Sequence, residues 1–127
     1  MNGIGVVAVG LGAAVGALLR WWLGLKLNAL WPDVPMGTLA ANLIGAYLIG
    51  LALGVLATDS SLNPAWRLFI VTGFLGGLTT FSSFSAEAVT LLQRQLWMTA
   101  FGMMALHLAG SLAMTAAGLW TVRLWRG

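Results

Sequence analysis

Charge is what this chain has least of. Only 7% of its 127 residues are charged, with 6 Lys and Arg against 3 Asp and Glu, whereas a water-soluble domain normally has about a quarter. So few charges cannot coat a soluble globule, and with 60% hydrophobic residues the chain belongs in a bilayer. Cysteine is absent, which removes disulfides, thiolate metal sites and thiol nucleophiles. One histidine, His107, and three carboxylates leave almost no ligands for a catalytic metal or a phosphoryl-transfer site. The sequence therefore does not read as an enzyme. Its six basic residues are scattered rather than gathered on one face, which argues against nucleic acid as a partner.

What is present is apolar and punctuated. A spanning helix consumes about 20 apolar residues, so the length accommodates four passes and leaves no room for an extramembrane domain. The pattern predicts one all-α transmembrane domain with helices over about residues 3–30, 36–58, 65–95 and 97–124. The first apolar run, Ile4 to Leu19, follows an uncharged start without an A-x-A cleavage site, and is expected to be a retained span rather than a signal peptide. Trp21, Trp22 and Trp31 bracket Lys26 as an interfacial belt, and Pro32-Asp33-Val34-Pro35 reads as a turn. Asp59 to Pro64 closes the second span. Asn63-Pro64 then opens the third, with Trp66 and Arg67 suited to the interface. The last span carries no charge until Arg123 and Arg126, which sit beside Trp120 and Trp125.

Four passes put Arg67, Arg123 and Arg126 on one membrane face and Lys26 and Arg94, with or without Arg20, on the other. Three against two or three is almost no bias, so the positive-inside rule selects no orientation. We read this as a chain that inserts both ways and pairs with an inverted copy of itself, creating a two-fold axis in the membrane plane. Gly12 with Gly16, and Gly50 with Gly54, have the spacing that lets helix backbones approach closely.

The most unusual stretch is Gly73 to Ser85, in the middle of the third span. Paired glycines followed by Thr79, Thr80, Ser82, Ser83 and Ser85 predict a helix broken over about 76–82, tolerated at membrane depth only where protein or water satisfies the freed backbone. Opened carbonyls suit a dehydrated cation, whereas half-helix N-termini and hydroxyl donors suit an anion; both readings stand on this pattern. Phe81 and Phe84, three apart, share a helical face, either as packing or with ring edges turned toward an anion. In the last span His107, Ser111 and Thr115 fall at i, i+4 and i+8, one polar stripe facing a partner helix or a water-filled path. Asn42 is an amide that needs a partner or a solvated pore. Glu87 is costly to bury unless protonated or hydrogen-bonded. Arg20 either snorkels to the surface or holds positive charge in an entrance vestibule.

Gly76 to Ser85, GGLTTFSSFS, together with Gly37-Thr38-Leu39 and Asn42, resembles the Fluc (CrcB) family of fluoride channels over essentially the whole chain. The family usually has Thr where this chain has Ser83, a swap that keeps the hydroxyl. The resemblance implies an antiparallel, dual-topology homodimer in a bacterial-type inner membrane, with two pores that conduct fluoride passively and exclude chloride. It implies that Phe81 and Phe84 are the pore's aromatic pair and Asn42 its amide. Thr38, Ser82, Ser85, Glu87, His107, Ser111 and Thr115 would belong to the polar path, and Arg20 to its entrance. Backbone carbonyls of Gly76 and Thr79 would hold a central structural Na+ shared by both subunits. The rival reading is a proton-coupled small multidrug exporter working through Glu87. It leaves the GGLTTFSSFS stretch without a purpose.

Overall fold

A computed structural model describes residues 1–59 and 61–127. Among the described residues, four stretches are long and apolar enough to cross a membrane: Gly3–Leu30, Met36–Thr58, Pro64–Gln93 and Trp97–Arg126. Helix α1 (Gly3–Leu27) begins where the Asn2 side chain accepts from Gly5 N–H at 2.6 Å, and finishes in a 3₁₀ turn, Asn28–Leu30. Helix α2 (Met36–Thr58) lacks a cap from its own N-terminal side chain. Asn28 supplies one across the loop, its Oδ1 accepting from Gly37 N–H at 2.8 Å, which ties the exit of α1 to the entry of α2.

The third span is two half-helices. The first, α3a, covers residues 64–78: Pro64 occupies the first turn, Asn63 caps it, and Leu68–Leu75 is wound as a π-helix before an α-helical turn at Gly76–Leu78. Thr79 and Thr80 are extended, with ψ of 155° and 120°. The second half, α3b (Phe81–Gln93), restarts with the Thr80 hydroxyl accepting from Ser83 N–H at 3.1 Å. The break is narrower than the 76–82 expected, because glycine tolerates the helical turn at 76–78 and only the two β-branched threonines leave it. A tight turn with Gln95 in the left-handed region (φ 61°) leads into α4 (Trp97–Arg126).

Glycines set how closely these rods approach. Gly12 and Gly16 of α1 face Gly73 and Gly77 of α3a, backbone against backbone; a Cβ on Gly16 would lie 2.7 Å from Leu78 N and sterically overlap the Phe74 carbonyl. Gly50 of α2 meets Gly118 of α4 in the same way, a Cβ there lying 3.0 Å from Gly118 Cα. Two apolar clusters form the core of the bundle. Leu23, Ala41, Leu75 and Leu78 pack together in one, and Val34, Ala88, Leu91, Ala100 and Met103 in the other. The outward faces carry large apolar side chains such as Ile4, Leu11 and Leu124, with Trp21 and Trp125 near the ends, the pattern of a surface solvated by lipid.

Replacing Gly16 with Val should force α1 and α3a apart, costing about 1–3 kcal/mol or more as overpacking. Gly10→Val, where a Cβ meets nothing within 4 Å, should be nearly neutral. Survival of the monodisperse size-exclusion peak after heating in detergent distinguishes the two.

Candidate functional site

Breaking a helix inside the bilayer frees backbone groups, each of which costs about 1–3 kcal/mol if buried without a partner. Here side chains from other spans take them. Thr80 N–H donates to Asn42 Oδ1 at 2.7 Å, and Asn42 Nδ2 donates to Thr80 O at 3.0 Å. The amide thus pairs with both backbone groups of one extended residue, as a neighbouring strand would. Arg20 Nε donates to Gly77 O at 3.1 Å, so α1 answers a carbonyl on the near side of the break. Thr79 turns back, its N–H and its hydroxyl both donating to Leu75 O at 3.0 and 2.8 Å.

A cavity of about 510 Å³ opens against this break, walled by α2, α3a, the start of α3b and α4. Asn42, Phe81, Phe84, His107, Ser111 and Thr115 line it, and Gly76 and Thr79 form its edge on α3a. The two phenylalanines do share a face: their centroids are 5.6 Å apart with planes at 57°. Phe84 also lies 4.7 Å from the His107 ring, tilted by 36°, whereas Phe81 is 79% exposed. The polar stripe of α4 faces inward. His107 is buried, with Nδ1 3.2 Å from Asn42 Nδ2. Thr115 donates to Ala46 O at 2.9 Å. Ser111, between them, is half-buried in the wall.

Other sequence-predicted residues stand outside the cavity wall. The Thr38 hydroxyl donates to Glu87 Oε2 at 2.6 Å, one helical turn beyond Asn42 on α2 and Phe84 on α3b. Glu87 Oε1 and His107 Nε2 are buried without a partner among the described residues. Ser82 is exposed, its hydroxyl 3.3 Å from that of Thr80, and Ser85 is half-buried on the next turn. Arg20 is half-buried beside Gly77, away from the lining. Gly76 is exposed, with nothing within 4 Å of where a Cβ would sit. Sequence reasoning missed Thr80 as a separate element of the site. Its signal was the threonine pair, since β-branched residues with side-chain hydroxyls favour extended, capping positions over helix interiors.

An open cavity at a helix break, walled by three of the four apolar spans and carrying a few polar groups, fits a multi-pass membrane protein with a path or binding site within the bilayer. The family model described as "CrcB-like protein, Camphor Resistance (CrcB)" matches residues 7–119. Among curated relatives, the "Fluoride-specific ion channel FluC" of Pseudomonas putida (strain W619) is 62% identical over 116 residues, covering 91% of each chain. The protein of the same name from Pseudomonas syringae pv. maculicola is 58% identical over 90% of each chain, and that from Nitrosomonas europaea 57% over 92% of each. The chain belongs to the CrcB family.

Asn42→Ala should leave both Thr80 backbone groups unpaired. At about 1–3 kcal/mol each when buried, and nearer the low end at this half-buried position, the loss should lower the thermal unfolding midpoint in detergent markedly. An unchanged midpoint would mean that the break is held by something other than this amide.

Proposed function

We propose that the protein is a fluoride-selective passive channel that lets fluoride out of the cell. The observation that carries this is the cavity at the helix break, where the Phe81 and Phe84 rings and the inward stripe of α4 converge; the identity to fluoride channels over nine-tenths of the chain supports it. Fluoride is small and strongly hydrated, so a selective path must offer close donors in a narrow bore without full positive charges that would trap the ion. Hydroxyls, N–H groups and the positive edges of aromatic rings meet that requirement. Phe81, Phe84, Asn42, Thr38, Ser82, Ser85, His107, Ser111, Thr115 and Glu87 belong to this path in our reading, with Arg20 drawing anions toward its entrance. No catalytic step is involved. Fluoride enters as its neutral acid, and about 2.3 kcal/mol per 100 mV of inside-negative potential drives the anion outward.

The working unit in this reading is an antiparallel homodimer in a bacterial inner membrane, with a pore on each side of the two-fold axis. Support comes from the near absence of charge bias between faces, and from Phe81, which one protomer leaves 79% exposed. A second copy would cover that ring. It would also bring a second Gly76 and Thr79 to the axis, where carbonyl oxygens from both protomers suit a structural Na+, a hard cation that prefers oxygen. The space around Gly76 fits such an approach. A carboxylate-based exporter fits less well, because Glu87 is engaged by Thr38 and is not part of the cavity wall.

In liposomes holding the purified protein, fluoride should leave rapidly while chloride is retained, each followed with its ion-selective electrode. Phe81→Ile should slow fluoride efflux about tenfold, the consequence of losing ~1.4 kcal/mol of stabilisation along the path, with the dimer intact by size exclusion. Because the chain has no cysteine, a single cysteine placed at one terminus reports topology directly. It should fail to cross-link the two copies, whereas parallel subunits would join readily.

A further inference from the structure

The glycine contacts that draw some helices together also decide where two of them stand apart. α2 gives its glycine face to α4, where a Cβ on Gly54 would lie 2.8 Å from Val122 Cβ, and α3a gives its own to α1 through Gly73 and Gly77. Bulky apolar side chains are left between α2 and α3a, and they keep these two backbones from close approach. The result is a groove of about 230 Å³, with Leu51, Val55 and Leu56 on one wall, Ile70 and Val71 on the other, and Leu62 from the connection between them. Residues 51 to 56 extend it about 7.5 Å along the helix axis, half of a hydrocarbon leaflet about 15 Å thick. Its outer end lies at the membrane surface, where Asp59 and Asn63 terminate the two helices and exposed Trp66 marks the interface. Val55, Leu62 and Ile70 remain exposed, so the chain does not fill this groove itself.

Arg67 is the one charged residue of the wall. The groove surface is apolar, so Arg67 lends it the aliphatic stem and carries the guanidinium outward to headgroup level. Among the described residues that guanidinium has no hydrogen bond and no ion pair, the one salt bridge being Arg94 with Asp33. Arg126, by contrast, is committed to the Thr58 hydroxyl at the end of α2. A second copy of the chain is poorly equipped to supply the missing anion. There are three side-chain carboxylates, and each is engaged within its own chain: Asp33 with Arg94, Asp59 accepting from Ser61 N–H, and Glu87 accepting from Thr38. We propose that the groove binds an anionic phospholipid, its phosphodiester on the Arg67 guanidinium and one acyl chain lying along Leu51 to Leu56. Arginine presents a phosphate with two parallel N–H donors. Arg123 and Arg126, in the last turn of α4, add positive charge to the same membrane face and favour a headgroup of net negative charge. The inner end of the groove reaches Val71, which also lines the cavity at the helix break, so the lipid chain abuts that cavity without touching its polar groups. The site is independent of which ion the cavity passes.

The test incubates purified protein in mild detergent with equal amounts of phosphatidylglycerol and phosphatidylcholine of matched chains, and counts bound lipid by native mass spectrometry. Wild type should carry phosphatidylglycerol in preference, and Arg67→Gln should weaken that binding about tenfold, as expected for loss of a charged hydrogen-bonded pair. Ala52→Phe, which places a ring in the groove, should remove bound lipid of both kinds from protein whose unfolding midpoint is retained. If that variant does not fold, Val55→Trp fills the groove from an exposed position and carries the same expectation. Phosphatidylglycerol retained by a folded, groove-filled variant would overturn the groove as the site. Arg123→Gln, outside the groove, should change binding by less than about twofold; a loss equal to that of Arg67→Gln would mean attraction to surface charge in place of a site. Glycerol 3-phosphate, which has the phosphate and no chains, should not displace the lipid, and displacement would assign Arg67 to a free phosphate instead. Equal binding of the two lipids by wild type would overturn the anionic preference and the role given to Arg67. Wild type without bound lipid would overturn the proposal outright, and an oligomer that dissociates in Ala52→Phe would then name a second copy as the occupant.

Discussion

Everything around the cavity depends on one backbone requirement, that the amide and carbonyl of Thr80 find partners in a place where water is scarce. A membrane helix is the easy solution to that requirement because it satisfies itself. Interrupting it creates an obligation that only another span can meet, and Asn42 meets it with a single planar group bonded to both sides of one residue. The same amide then reaches His107 on α4. Three spans are thereby fastened at one point, and the protein obtains a break without the disorder that exposed backbone would bring.

The glycine contacts make that fastening achievable. α1 can bring Arg20 to the Gly77 carbonyl only because Gly12 and Gly16 let its backbone rest on that of α3a. α2 and α4 can place Asn42 beside His107 only because Gly50 and Gly118 allow comparable proximity. In lipid no hydrophobic force drives helices together, so van der Waals contact and interhelical hydrogen bonds must act jointly. Small residues and polar residues are accordingly interleaved along α2 and α4, with Gly45, Ala46 and Gly50 following Asn42, and Gly110 and Gly118 flanking Ser111 and Thr115.

Much of the architecture was legible in the sequence, because apolar run length, interfacial tryptophans and Pro or Asn punctuation are local signals with direct physical meaning. The inward face of α4 was legible too, since i, i+4 and i+8 leave only one face for His107, Ser111 and Thr115. Periodicity, however, names a face and not its partner. The Asn42–Thr80 pairing and the Thr38–Glu87 bond join residues 38 and 49 positions apart, and nothing local distinguishes them from other polar pairs. The width of the break was also hidden, because paired glycines read as weak helix formers although their carbonyl-lined turn at 76–78 persists. The π-helix before it left no trace in the residue pattern, Leu68 to Leu75 being as apolar as an ordinary span.

That π-helix sets the angular phase of the break. Each residue of an α-helix advances about 100° around the axis, and winding Leu68–Leu75 with the wider repeat accommodates residues without the corresponding rotation. Relative to an ideal helix starting at Pro64, the glycines of α3a and the threonines after them are therefore turned to a new azimuth. Gly73 and Gly77 fall toward α1, and Thr80 falls toward Asn42. Insertion or removal of one residue in this segment would act as a change of dial setting: the half-helix would keep its composition and its length nearly unaltered, while Thr80 would address a different neighbour. Residue count between Pro64 and Thr79 is thus as much a determinant of the site as the side chains that line it.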